Sequence, residues 1–148
     1  MMNDILFFHG AALMRIIRHE LFKTVAVYGE KGCSYAINDT AGVYMKYSKR
    51  GSSNWRFTFF KEHVDEITEM IERLGEVYVA FICNEDGICC LDWSEFATVI
   101  SPESKLYPKW VGISRKKGEK YSVWGSDGEL SHKVGNSDFP RKILEKCD

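Results

Sequence analysis

Apolar and polar residues alternate with a period of two through "TVAVYG" (24–29), "CSYAIN" (33–38), "VYMKYS" (43–48) and "WRFTFF" (55–60). Successive side chains of a strand point to opposite faces, so this pattern predicts an antiparallel meander turned by "EKG", "DTAG" and "KRGSS". In the last strand Trp55, Phe57 and Phe59 share the apolar face, and Arg56, Thr58 and Phe60 the other. A four-residue "DTAG" loop would set Tyr35 opposite Lys46.

The period changes on either side. Leu6, Leu13, Ile16, Ile17 and Leu21 recur at helical spacing, which predicts a helix over 4–22 capped by Asn3 or Asp4. Gly10 inside it weakens the helix or permits close packing. Val64, Ile67, Met70, Ile71 and Leu74 form one stripe of a second helix over 62–74, with acidic residues on its other faces and Gly75 as its stop. "EVYVAFIC" is nearly continuous in apolar residues, as an interior strand requires, and "NEDG" turns it into "ICCL". Asp92 or Ser94 then caps a short helix through Ile100, "SPESKLYP" forms a loop, and "KWVGIS" and "EKYSVWG" pair through "RKKG". A short helix follows Pro140, and Lys109 with "RKKGEK" would protect a sheet edge.

The order predicts an α+β fold: one domain over residues 1–148, with a largely antiparallel sheet of about seven to nine strands and the two long helices on one face. At 45% hydrophobic and 14% aromatic residues, the 148-residue chain can fill such a core. Its formal charge of −1 provides no global field for nucleic acid or an acidic membrane, so such binding needs a local patch. The longest apolar runs are too short to span a bilayer, and the start lacks the pattern of a signal peptide. Five cysteines without a CxxC motif read as reduced thiols, Cys33, Cys83, Cys89, Cys90 and Cys147, in a cytoplasmic protein. Adjacent Cys89 and Cys90 point to opposite strand faces, and the four histidines are scattered, so no metal site is expected.

The chemistry concentrates in 41–60, where Lys46, Lys49, Arg50 and Arg56 stand among aromatic side chains. Cations beside aromatic planes suit phosphate contact with base stacking, and equally a solvated sheet face with snorkelling cations. The candidate ligand-binding residues are Tyr44, Lys46, Lys49, Arg50, Trp55 and Arg56, with protein or nucleic acid as partner. "SRKKGEK" (114–120) offers a second basic turn. The acidic helix face at 62–74, opposed to these stretches, also suits a protein partner of mixed charge, such as a defence or nucleic-acid-processing protein that this chain would inhibit.

An opening helix followed by strands, helix and strand resembles the αβββαβ core order of PD-(D/E)XK nucleases. That resemblance implies Mg²⁺ held by acidic residues beside a lysine. Asp39, Lys46 and the helix-borne Glu20 are the catalytic candidates, although Tyr44 stands where the second acid is expected. Without that enzyme reading no cofactor is implied. "YAINDTAGVYMKYSKRGSSNWRFTFFKEHVDEI", "VYVAFICNEDGICCL", "WVGISRKKGEKYSVWGSDGEL" and "KVGNSDFPRKIL" also resemble a family of small uncharacterised prokaryotic or phage-type proteins with a YxKYS…WxFTF core and a DGIxxL hairpin. That resemblance implies no reaction. The leading expectation is a non-catalytic binding module.

Overall fold

The structure is a computed structural model and describes residues 3–145. The first half contains α1 (Asp4–Ile17), β1 (Val25–Tyr28), β2 (Ser34–Ile37), β3 (Ala41–Ser48), β4 (Trp55–Phe59) and α2 (Lys61–Leu74). The second contains β5 (Val77–Cys83), β6 (Gly87–Asp92), α3 (Trp93–Val99), β7 (Lys109–Ser114), β8 (Ser122–Gly125), β9 (Gly128–Glu129) and α4 (Arg141–Leu144). This is an α+β fold, and the nine strands among the described residues fall within the expected number.

Asn3 caps α1 by accepting the Leu6 N–H at 3.0 Å. The helix ends at Ile17, earlier than its apolar spacing predicts. Asn38 supplies a reason from outside the helix. Its carboxamide accepts the Lys23 and Thr24 N–H groups and donates to the Leu21 carbonyl, giving this backbone the partners a continued helix would have provided. Asn38 and Asp39 both take positive φ, 53° and 60°, and the Thr40 N–H closes the turn on Ile37 at 3.1 Å. This tight turn pairs Ile37 with Ala41 and sets Tyr35 opposite Val43, so Tyr35 does not face Lys46.

The strands divide into two sheets where one was expected. One has the order β1-β2-β3-β5-β6 and the other β4-β7-β8-β9. Among the described residues the strand pairings are antiparallel except β3 with β5. A parallel neighbour requires a crossover, and α2 lies in that crossover. β5 takes the place beside β3 and β4 is displaced from the first sheet, pairing instead with β7.

β3 and β5 are apolar on both faces. Tyr44, Val79, Phe81 and Cys83 join one core with α2, α3 and the inner side of the second sheet. Val43, Met45, Ala80 and Ile82 join another with Ala12 and Ile16 of α1 and Ile143 of α4. The long helices therefore flank opposite faces of the five-stranded sheet, where the sequence pattern places them on one. A sheet buried on both sides needs cover on both.

Gly75, with φ 81°, ends α2 through its N–H to Ile71. Gly42 lets α2 approach β3, since a Cβ there would lie 2.7 Å from Met70 Cε. Asp92 and Glu95 form reciprocal capping hydrogen bonds at α3, 2.9 and 2.8 Å. Lys109 does not guard an edge. β7 is bonded on both sides, so Lys109 is 1% exposed and its Nζ donates to Asp127 at 2.8 Å.

Phe57→Ala and Ile67→Ala, which open voids in the shared core, should each lower unfolding free energy by about 2–5 kcal/mol. Thr58→Ala, on the outward side of the same strand, should stay within about 0.5 kcal/mol. Urea denaturation decides. Equal losses at positions 57 and 58 would overturn the face assignment.

Candidate nucleic-acid interface

The outer side of the four-stranded sheet is built by alternation. Trp55, Phe57 and Phe59 turn inward, so Arg56 and Thr58 turn outward. The register sets Arg56 opposite Gly112, Thr58 opposite Trp110, Gly112 opposite Trp124 and Ser114 opposite Ser122. The Arg56 guanidinium lies 4.1 Å from the Trp110 ring centroid. Gly112 makes room for the neighbouring indole: a Cβ there would fall 2.5 Å from Trp124. The result is a cationic and aromatic platform with a recess of about 260 Å³ between Arg50, Asn54, Trp110 and Trp124.

A second recess of about 360 Å³ continues from Asn54 to Lys116, Lys120, Ser122 and Lys133. The two basic stretches meet here, because the Arg115 N–H donates to Ser53 Oγ at 3.0 Å. Arg115 itself is engaged internally. Its Nε donates to Asp86 Oδ2 at 2.7 Å, its Nη2 to the Asp86 carbonyl at 3.0 Å, and Tyr121 donates to the same carboxylate at 2.7 Å. Among the described residues, Lys116, Lys117, Lys120 and Lys133 form no ion pair, so their charge faces solvent.

The six expected ligand-binding residues do not share one surface. Arg50 and Arg56 border the platform. Trp55 is 1% exposed and Tyr44 is 2% exposed, so neither presents a ring for stacking. Trp55 instead donates Nε1–H to the Arg50 carbonyl at 2.8 Å, anchoring the basic loop from below. Lys49 pairs with Asp4 of α1 at 3.2 Å.

Lys46 turns toward α2. Its Nζ donates to the Thr58 carbonyl, lies 3.4 Å from His63 Nδ1 and sits 4.6 Å from the Phe59 centroid. Burial pulls its pKa down to about 8. His63 Nδ1 also accepts the Phe60 N–H at 3.0 Å, and burial, with Lys46 beside it, holds its pKa below the ordinary histidine value. This pair opens on a cleft of about 380 Å³ that also touches His9, Cys33 and Phe60.

Of the nuclease candidates, Lys46 is separated from the two acids. Asp39 is a left-handed turn residue and Glu20 lies in the turn after α1, both beside Asn38. Lys46 is further along β3, and the five residues from Ala41 already span roughly 16 Å. Among the described residues no three His, Cys, Asp or Glu side chains converge as a metal-binding group. Cys89 and Cys90 do enter opposite cores, and burial raises both thiol pKa values, that of Cys90 to about 12. Cys147 lies outside the described residues.

Trp110, Trp124 and Lys133 were missed by the sequence reading. The alternation of "KWVGIS" and "YSVWG" places both tryptophans on the face of Ser114 and Ser122, and that signal was available. Their meeting with Arg56 depends on β4 pairing with β7, which no local pattern encodes. No family model, curated protein or solved structure matches the chain.

A folded-state pKa of about 8 lies below the unfolded lysine value of 10.5, so the unfolded chain binds the Lys46 proton more readily. The resulting destabilisation is complete below about pH 8 and is relieved as pH rises from about 8 to 10.5. The urea midpoint of the wild type should gain on that of Lys46→Gln across this window. A constant difference would place the amine in water.

Proposed function

We propose that the chain is a non-catalytic, cytoplasmic binding module that holds single-stranded nucleic acid on the outer face of its four-stranded sheet. The observation carrying this reading is the Arg56–Trp110 stack beside Trp124, bordered by unpaired lysines from the joined basic loops. Indole faces accept unstacked bases of any sequence, and lysine and arginine neutralise the phosphates between them. A local patch of this kind resolves the conflict with a net charge of −1.

The order of α1, β1–β3, α2 and β5, with β4 inserted, also supports kinship with the nuclease-like core. Tyr44 in place of an acid and the distance of Asp39 from Lys46 favour a non-cleaving relative. Inhibition of a defence or nucleic-acid-processing protein is the alternative without nucleic-acid contact. The acidic side of α2, with Glu62, Asp65, Glu69 and Glu72, would then take part.

Fluorescence anisotropy with labelled single-stranded DNA and RNA tests the proposal. Affinity should fall steeply between low and near-physiological salt. Trp110→Ala and Trp124→Ala should each weaken binding by roughly 5- to 150-fold, the equivalent of losing one base stack. Lys46→Gln should leave affinity unchanged, since that amine points toward α2. Undiminished binding by both tryptophan variants, or none by the wild type, would overturn the reading. Mg²⁺-dependent shortening of the probe would show an enzyme.

A further inference from the structure

The helix α1 buries Ala12 and Ile16 and leaves its other side apolar too. Leu6 is 59% exposed, Phe7 55%, Met14 51% and Ile17 44%, and Leu21 just beyond the helix is 46% exposed. Phe7, Gly10, Met14 and Ile17 follow one another along the helix at intervals of three, four and three residues. This 3.5-residue spacing is the seam by which one helix packs against another. Gly10 and Ala11, both exposed, lie midway along it, and a Cβ at Gly10 would meet nothing, so a second backbone can approach there. No exposed position from Ile5 to Ile17 carries a charge.

We propose that this seam pairs with the same seam of a second copy, the two α1 helices running antiparallel about a twofold axis near Gly10 and Ala11. Self-complementarity argues for this occupant. With the crossing between positions 10 and 11, Phe7 of one copy falls opposite Met14 of the other, which an isologous contact requires in both directions. The termini match in charge as well as shape. Asp4 in the first turn, which pairs with Lys49 of its own copy at 3.2 Å, also comes beside Arg18 of the second copy, and Arg18 has no side-chain partner among the described residues. A groove of about 510 Å³ between α1 and the β5–β6 hairpin, lined by Phe7, Phe8, Ile82 and Ile88 together with Asp4, Arg15 and Glu85, runs beside the seam and would take the edge of the opposing ridge. Like-charge repulsion, the usual obstacle to self-association, is absent from the seam. A 14-residue helix is roughly 21 Å long, so the contact is small and its dissociation constant is expected in the micromolar range.

Sedimentation velocity of the full chain from about 1 to about 200 µM tests this. The weight-average mass should climb from 17.0 kDa toward twice that value. Met14→Glu, at an exposed position that folding does not need, should weaken association at least about tenfold by placing a carboxylate in the seam. Arg18→Glu should weaken it about threefold by setting two carboxylates together across the axis, and adding Asp4→Asn, which removes one of them without placing a cation beside Lys49, should restore part of it. That rescue is specific to an antiparallel pair of copies. A monomer at every concentration would overturn the proposal, as would dimers indifferent to Met14→Glu. Binding to anionic vesicles without dimers would assign the seam to a lipid surface and overturn it equally.

Discussion

The parallel pairing of β3 with β5 is the constraint on which the architecture depends. It requires a crossover, and α2 covers one face of the sheet as the chain returns. Since β3 and β5 are apolar on both faces, the other face needs cover as well, and α1 and α4 provide it. With β5 beside β3, β4 carries its three inward aromatic residues into a second sheet. That sheet closes the larger core with its inner side and leaves its outer side to solvent. The aromatic platform is thus a consequence of how the first sheet is filled.

Buried and half-buried cations serve this arrangement in place of ligand binding. Lys109 is tied to Asp127, Arg115 joins the β5–β6 turn to the loop before β4, and Lys142 donates to the Cys90 carbonyl and to Glu95. Each has its partner, as a charge removed from water must. Among the lysines that form no ion pair in the described residues, Lys116, Lys117 and Lys120 lie around the β7–β8 turn, and Lys133 lines the same recess as Lys116 and Lys120. A nearly neutral chain thereby acquires a local positive surface. The apolar seam of α1 lies across the five-stranded sheet from the platform, so a pair joined through α1 would keep two platforms open. Two linked sites on one strand raise avidity without any new contact.

Local patterning determined much of this. The alternation in β4, the stripe of α2 with Gly75 as its stop, the box between Asp92 and Glu95 and the turn residues at 84–87 were legible because each depends on neighbours within a few positions. The apolar character of "VYVAFIC" likewise announced an interior strand. Tertiary structure decided which strands meet. Tyr44 and Lys46 share a strand face in the sequence, yet Tyr44 is sealed in the core while Lys46 reaches the Thr58 carbonyl, His63 and the Phe59 ring. Arg56 and Trp110 are 54 positions apart and become neighbours only through the β4–β7 register. Period and propensity specify the face on which a side chain stands, but pairing between distant strands depends on how all the apolar faces are covered at once. That is a property of the whole chain, and it decided where the basic and aromatic residues converge.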